Sequence, residues 1–181
     1  MLARTLIFAL ALGGTCHAAR ADGQHDFDFE FGTWKTHVSR LAHPLAGSKE
    51  WLELEGTSVV RPIMEGRANL VELDIAGPSG RITGVSLRLY NPDTAQWNLN
   101  YASLRSGSMT APTVGAFSNG RGEFFGADTL DGKPIFVRFV IACAEPDTCR
   151  FEQAFSSDGG KTWEVNWIAT DTRIKTESPS R

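Results

Sequence analysis

The sequence predicts an all-β protein: an antiparallel up-and-down meander of about eight to ten strands closed into a barrel. The chain of 181 residues contains 11 Phe and 5 Trp against 3 Met, together with 18 Gly, a mixture that suits strands and turns. No segment after the first 21 residues shows a sustained helical period. A meander of this length usually closes on itself, because closure removes its two exposed edges.

The predicted strands follow one another at short intervals, roughly every ten to fifteen residues. We expect residues 26–31 to form a short lid or turn before the first strand. The separators, such as 76–80, 91–93 and 131–132, carry the Gly, Pro, Asn or Asp that turns require. The strand-like runs are about 33–40, 50–61, 67–75, 81–90, 96–103, 113–118, 121–128, 134–143, 149–156 and 162–173.

The composition excludes several classes of protein. Hydrophobic residues make up 41% of the chain and charged residues 22%, with a formal net charge of −3. A disordered chain would have fewer apolar residues and more net charge, and collagen or a coiled coil would show a periodic repeat. A nucleic-acid-binding domain is usually basic, so no nucleic-acid partner is predicted.

The first residues have the pattern of a signal peptide. Arg4 supplies the positive charge, and the apolar run 6–12 is too short to span a bilayer. Small residues follow, and we place the cleavage after Ala21, with cleavage after Ala18 or Ala19 as alternatives. Residues 1–21 are therefore predicted to be a signal peptide.

Cys16 offers a different interpretation of the leader, a lipoprotein anchor. The residues before it, 13–15, lack the Leu and the small residue that a lipobox requires at its ends. Removing 1–21 takes away two arginines and no acidic residue, so the formal net charge changes from −3 to −5. Residues 22–181 are predicted to form one soluble domain, periplasmic or secreted, without stable membrane insertion, as a monomer or homodimer.

Two cysteines remain after the leader, Cys143 and Cys149, at the facing ends of two strand-like runs. Opposed residues of an antiparallel pair lie close enough for a disulfide, and an exported compartment favours oxidation. The alternative is a redox or metal-binding pair, but the spacing is not CxxC and no histidine lies nearby. We predict a structural disulfide.

Alternation along the strands predicts which side chains face the barrel interior. The expected inward sets are aromatic and aliphatic, with few polar members. The run 135–141 is apolar on both faces apart from Arg138, so its inward set stays open. The inward sets are Val85, Leu87 and Leu89; Trp97, Leu99 and Tyr101; Phe151, Gln153 and Phe155; and Trp163, Val165, Trp167 and Ala169.

Gly32-Thr33-Trp34, which opens the first strand, resembles the Gly-x-Trp signature of lipocalin-type barrels. The resemblance implies that Trp34 plugs the closed end of the barrel and that an Arg of the last strand packs across the indole. Arg173 stands at the expected position. A cation over an indole face contributes roughly 0.5–2 kcal/mol.

The wider pattern resembles a family of exported bacterial lipocalin-like (calycin) domains of unknown function. It consists of residues 27–34, then 88–92 and Trp97, and the resemblance covers most of the mature chain. It implies the fold and says little about activity. The chain has more apparent strands than the best-known lipocalins and no clear C-terminal helix, so their ligands do not transfer.

Residues 156–163 match the Asp-box pattern Ser-x-Asp-x-Gly-x-Thr-Trp at every fixed position. In propellers this motif repeats blade by blade, whereas here it occurs once. We interpret it as a hairpin turn in which Asp158 caps backbone groups, not as a sugar site. A calcium ion at Asp158 would lack the several oxygen ligands that it requires.

The sequence shows no catalytic or metal-binding constellation. His25, His37 and His43 all lie near the start of the chain, and neither a converging zinc site nor the late His of haem-binding barrels is indicated. No cofactor or metal is predicted, and no nucleophile elbow is found. The strand carboxylates are expected on the solvated face: Glu53, Glu55, Glu72 and Asp74.

Two functional hypotheses follow. The first is an exported barrel that binds a small apolar or amphipathic molecule, and the second is a barrel enzyme (isomerase, cyclase or hydrolase) acting on such a molecule. A third is a barrel packed shut, with a structural or stress-related role. The candidate ligand-binding residues are Trp97, Tyr101, Arg138, Phe151, Gln153, Phe155 and Trp167.

Overall fold

Eleven β-strands make up most of residues 23–175, the part of the chain that the structure, a computed structural model, describes. Three short 3₁₀-helices accompany them: Gly23–His25, Asp28–Glu30 and Met64–Gly66. None of these helices is long enough to cross a bilayer. The strands are β1 Gly32–Leu41, β2 Trp51–Ile63, β3 Ala68–Gly77, β4 Gly80–Asn91, β5 Gln96–Ser103, β6 Ser108–Met109, β7 Thr113–Ser118, β8 Arg121–Leu130, β9 Lys133–Glu145, β10 Thr148–Ser156 and β11 Glu164–Arg173.

Ten of these strands form a closed antiparallel barrel, which confirms the predicted fold class. The ring order is β4-β3-β2-β1-β11-β10-β9-β8-β7-β5, and pairing between β4 and β5 closes it. The first and last strands, β1 and β11, are neighbours. The sequence did not predict β6, because it consists of two residues that pair only with the end of β5.

The residues before β1 close one end of the barrel. Phe27 is fully buried between the two 3₁₀-helices. Its ring centroid lies 5.0 Å from that of Trp97 and 4.9 Å from that of Phe117, both in edge-to-face geometry. Trp97 also donates a hydrogen bond from Nε1 to the Gly23 carbonyl, 2.9 Å away. We call residues 23–31 the plug, since they fill the end at which β1 begins.

Arg173 ties the plug to the last strand. Its guanidinium carbon lies 4.0 Å from the Trp34 ring centroid, and its Nη1 and Nη2 donate to the carbonyls of Phe31 (2.7 Å) and Phe29 (2.5 Å). Gly32, at φ +131°, lies against the same group, because an added Cβ would come within 2.9 Å of Arg173 Nη1. Trp34 in turn donates from Nε1 to the Glu30 carbonyl at 2.7 Å.

The predicted disulfide is present. Cys143 of β9 lies directly opposite Cys149 of β10, with their Cα atoms 3.9 Å apart. The pair closes the short β9–β10 hairpin at the plugged end of the barrel. Both sulfurs are bonded to each other, so the alternative of a free redox or metal-binding pair does not describe this structure.

The hairpin between β10 and β11 is organised by Asp158. Its Oδ1 accepts hydrogen bonds from the backbone N–H groups of Lys161 (3.0 Å) and Thr162 (2.9 Å), and its Oδ2 accepts from the Thr162 hydroxyl. Ser156 also donates to Oδ1. These donors hold the pKa of the Asp158 carboxyl well below its usual range. Asp158 therefore lies where the turn interpretation places it.

The predicted inward face of β4 was wrong. Ser86 and Arg88 face the interior, whereas Leu89 on the opposite face is 43% exposed. Alternation separates the two faces of a strand, but it does not say which face is inside. Here Arg88 occupies the interior because the Glu30 carboxylate of the plug neutralises its charge.

The predicted inward set of β11 was also partly wrong. A bulge changes the register between Gln153 and Ala154 of β10, so that Gln153 pairs with Trp167 and Ala154 with Val165. Asn166 is the extra residue, and it lines the interior beside Trp167. Trp163 instead packs against Phe125, with ring centroids 6.0 Å apart.

Candidate functional site

The barrel encloses a cavity of about 530 Å³. The plug closes it at one end, and the cavity reaches the opposite end, where β1 and β5 finish and β7 begins. Its walls are mostly apolar, while buried charged groups gather at the plugged end, which we call the floor. The apolar wall residues are Val38, Val71, Leu73, Ile82, Leu99, Val137, Phe139, Phe151, Phe155, Trp167 and Ala169.

The floor contains a buried ion pair between Glu30 of the plug and Arg88 of β4. The two side chains are 4% and 3% exposed. Arg88 Nη1 donates to Glu30 Oε2, and Nη2 donates to Oε1 at 3.3 Å, so both carboxylate oxygens are used. The Arg88 guanidinium also lies 4.2 Å from the Phe27 ring centroid. Burying a charge of either sign here requires the other.

A second carboxyl, Asp171 of β11, faces the same floor. The Thr36 hydroxyl on β1 donates to its Oδ1, and the Ser58 hydroxyl on β2 lies 2.7 Å from that of Thr36. Because Thr36 gives its proton to Asp171, Ser58 donates to Thr36. Three neighbouring strands thus supply one chain of hydrogen bonds that ends at Asp171.

Burial raises the pKa of the Asp171 carboxyl to about 6, and the negative charge of Glu30 acts in the same direction. The hydrogen bond from Thr36 and the positive charge of Arg88 oppose this shift. The floor therefore contains two carboxyls and one guanidinium. When Asp171 is ionised, these three groups carry a net charge of −1.

Other polar side chains line the cavity away from the floor. Gln153 Nε2 donates to Asn166 Oδ1 at 2.9 Å, and Asn166 Nδ2 has no partner among the described residues. Tyr101 lines the cavity as well, and burial raises the pKa of its phenol. Gly84 makes room for this ring, since an added Cβ would lie 2.3 Å from the Tyr101 oxygen.

The structure brings five of the seven candidate ligand-binding residues to the cavity: Tyr101, Phe151, Gln153, Phe155 and Trp167. Trp97 points into the barrel but lies beneath the floor, where it packs on Phe27. Arg138 is outside the cavity, because it alternates with the inward-facing Val137 and Phe139. Its guanidinium lies 5.0 Å from the Trp163 ring centroid. Neither Trp97 nor Arg138 can touch a molecule held in this cavity.

Sequence reasoning missed the three charged floor residues. Asp171 carried a usable signal, because it stands two residues after Ala169, which was assigned to the interior. Arg88 lay on the face of β4 that was assigned to solvent. Glu30 lies outside the strands, so no alternation applies to it. Only the fold brings these residues together.

The histidines and the four strand carboxylates that the sequence assigned to the solvated face lie on the outside. His37 Nε2 is 3.1 Å from Glu53 on the barrel surface, and His25 Nδ1 is 2.8 Å from Asp28 in the plug. Glu55, Glu72 and Asp74 likewise make exposed ion pairs. Within residues 23–175, no group of three or more His, Cys, Asp or Glu side chains is placed to hold a metal ion.

Comparison with solved structures supports a lipocalin-like barrel fold. The chain is similar to the S-type phycobiliprotein lyase CPES from Guillardia theta, with a TM-score of 0.58 and 13% sequence identity, over 87% of this chain and 96% of that one. It is also similar to two redesigned β-barrels bound to DFHBI, mFAP0 and mFAP1, each with a TM-score of 0.45. Their identities are 13% and 12%, over 80% and 84% of this chain and 99% and 100% of theirs. No protein-family model and no curated protein matches the sequence.

Proposed function

We propose that the protein binds a small apolar or amphipathic molecule inside the barrel. The observation that carries this proposal is the cavity of about 530 Å³, which is walled mostly by apolar side chains and has buried charged groups at one end. Pockets for small ligands typically measure roughly 300–1,000 Å³ and combine these two features. A barrel packed shut, the third hypothesis from the sequence, would contain no cavity of this size.

The distribution of side chains supports an elongated ligand with one polar end. Phe151, Phe155 and Trp167 offer aromatic surface along the wall, and Gln153 lies beside them. The charged groups Glu30, Arg88 and Asp171 lie together at the floor. An apolar body along the wall, with a polar end directed at the floor, satisfies both regions.

Binding can be tested with the fluorescent probe N-phenyl-1-naphthylamine. We expect the protein to enhance its fluorescence and Ser86→Trp to abolish the enhancement, because Ser86 faces the cavity and an indole there obstructs the space for the probe. Leu89→Trp is the matched control, since it adds the same ring three residues along β4 on the exposed outer face. Equal probe binding by both variants, with both folded by circular dichroism, would contradict the proposal.

Native mass spectrometry of the purified protein tests the same proposal without a chosen probe. We expect a mass increment that is lost on denaturation in organic solvent and absent from the Ser86→Trp variant. The released molecule can then be identified by its accurate mass. A protein that carries no increment and does not bind the probe is not a small-molecule carrier.

We further propose that the protein is exported after cleavage behind Ala21, into the periplasm or the medium. The support is the leader pattern of residues 1–21, which lies outside the described residues, together with the Cys143–Cys149 disulfide, a bond typical of oxidising compartments. Cell fractionation followed by N-terminal sequencing tests this. Asp22 at the N-terminus of the exported protein is expected, and uncleaved cytoplasmic protein would contradict it.

A second candidate function is catalysis on a small molecule in the same cavity, and the environment of Asp171 favours it. A buried carboxyl whose pKa is raised to about 6 suits acid–base catalysis near neutral pH. The ligand released from the protein distinguishes the two candidates. An enzyme converts this ligand when it is added back, and Asp171→Asn stops the conversion, whereas a carrier returns it unchanged.

A further inference from the structure

We propose that the polar end of the ligand is a cationic amine and that Asp171 is its anchor at the cavity floor. This inference rests on the proposed function and deepens it. It names a ligand class, amphiphiles with a basic nitrogen, and the residue that selects them.

The charges at the floor are the first argument. Glu30 and Arg88 neutralise each other through two hydrogen bonds in a buried pair, and Arg88 Nε has no partner among the described residues. Asp171 makes no ion pair with any cationic side chain of the described residues. Of the two floor carboxyls, Asp171 is therefore the one that has no bonded counter-ion among the described residues. Buried charges are tolerated when a partner of opposite sign joins them.

The geometry of Asp171 is the second argument. Thr36 occupies its Oδ1, and within residues 23–175 no hydrogen bond to its Oδ2 is found. Asp171 lines the cavity, so a ligand can reach this carboxyl from above. Thr36 and Ser58 hold the carboxyl in one orientation, which favours a directional hydrogen bond from an N–H group.

An anionic ligand is disfavoured by the same floor. A carboxylate or phosphate would come close to the carboxyl groups of Glu30 and Asp171, and Glu30 already accepts from Nη1 and Nη2 of Arg88. Burial disfavours the ionised form of Asp171 and raises the pKa of its carboxyl to about 6. An ammonium bound beside it offsets this effect, because a nearby positive charge favours the ionised carboxyl. The open end of the cavity, away from the plug, favours neither a cationic nor an anionic ligand, since Arg40 and Asp128 both line it.

Three competitors with the same ten-carbon chain test the inference: decylamine, decanol and decanoate, each displacing N-phenyl-1-naphthylamine. The pH is set between about 6 and the pKa of an alkylammonium, so that Asp171 and decylamine are both charged. We expect decylamine to displace the probe at a concentration about tenfold or more below that of decanol, with decanoate the weakest. This ranking is measured on the unmodified protein, so it does not depend on a variant folding.

Asp171→Asn tests the assigned residue. We expect it to lose the preference for decylamine over decanol, measured as the ratio of the two displacing concentrations. Glu53→Gln is the matched control, because it removes a carboxylate from the outer surface and should keep the preference. Decylamine affinity should also rise as the pH passes upward through about 6, and the variant should show no such rise. Glu30 and Arg88 are the charged groups that face Asp171, and neither is altered.

The outcomes separate this inference from the proposed function. Probe binding with equal displacement by all three competitors, or with decanoate as the best, contradicts the amine inference alone. A decylamine preference that survives in Asp171→Asn contradicts the assignment to Asp171. No probe binding by the unmodified protein contradicts the proposed function, and the amine inference fails with it.

Discussion

Glu30, which precedes the first strand, forms a two-point ion pair with Arg88 in the fourth strand, and both side chains are buried. The pair joins the plug to the barrel wall and forms part of the cavity floor. Its partners are 58 residues apart in the chain. Each group therefore depends on the complete fold for its counter-ion.

Removing one member of this pair should destabilise the protein strongly. Arg88→Met leaves the Glu30 carboxylate buried without a partner, and we expect the free energy of unfolding to fall by about 3–5 kcal/mol. The double variant Glu30→Leu/Arg88→Met removes both charges and should recover most of the loss. Urea denaturation followed by circular dichroism measures both. Additive losses in the double variant would show that the two groups do not interact.

Arg173→Lys tests how the plug is attached to the last strand. Lysine keeps the positive charge but cannot donate to the Phe29 and Phe31 carbonyls together while lying flat on Trp34. We expect a loss of about 2 kcal/mol in the free energy of unfolding. Arg150→Lys is the control, because Arg150 is an exposed neighbour of Glu152 and should change stability little. Equal effects would contradict the specific role of Arg173.

Asp171 should give stability a distinctive pH dependence. Its pKa is 3.8 when unfolded and about 6 in the barrel, so between these values the folded state retains a proton that the unfolded state has lost. The contribution of Asp171 to the free energy of unfolding therefore falls as the pH rises from about 4 to 6, by about 3 kcal/mol in total. Above pH 6 this contribution is constant.

Asp171→Asn removes this dependence, because the amide does not titrate and its oxygen can still accept from Thr36. Relative to the unmodified protein, the variant should gain stability as the pH rises across that window. Thermal melts at matched pH values measure the difference between the two proteins. Carboxyls with lowered pKa, such as Asp74 and Asp147, act equally in both and cancel. A difference that does not change with pH would contradict the assigned burial of Asp171.

Replacing Cys143 and Cys149 by alanine should lower the free energy of unfolding by about 2 kcal/mol. This is at the low end for disulfides, since the loop that the bond closes is short. The fold and probe binding should persist, because the pair lies at the β9–β10 hairpin and does not line the cavity. Reduction of the unmodified protein should lower its melting temperature to that of the variant. A reduced protein that melts at the unchanged temperature would show that the bond contributes nothing.

The strands and the disulfide could be predicted from the sequence because they rest on local information, and the barrel could be predicted because a long meander closes to remove its edges. Period-two runs and turn residues mark the strands, and the spacing of Cys143 and Cys149 marks the hairpin. The site was harder to predict, since its chemistry depends on which face of a strand is inside. On β4, Arg88 can face the interior because Glu30 neutralises its charge, so the apolar face is not the inward one. On β11, a bulge at Asn166 changes which residues before Trp167 point inward.

The pairing of β1 with β11 has a consequence for how the molecule is made. The ring cannot close, and Arg173 cannot bond the carbonyls of the plug, until the last strand has been synthesised. The plug is thus the earliest described part of the chain to emerge, and its hydrogen bonds to Arg173 are among the last to form. Contacts between such distant residues slow folding, so we expect closure of the ring to be a slow step.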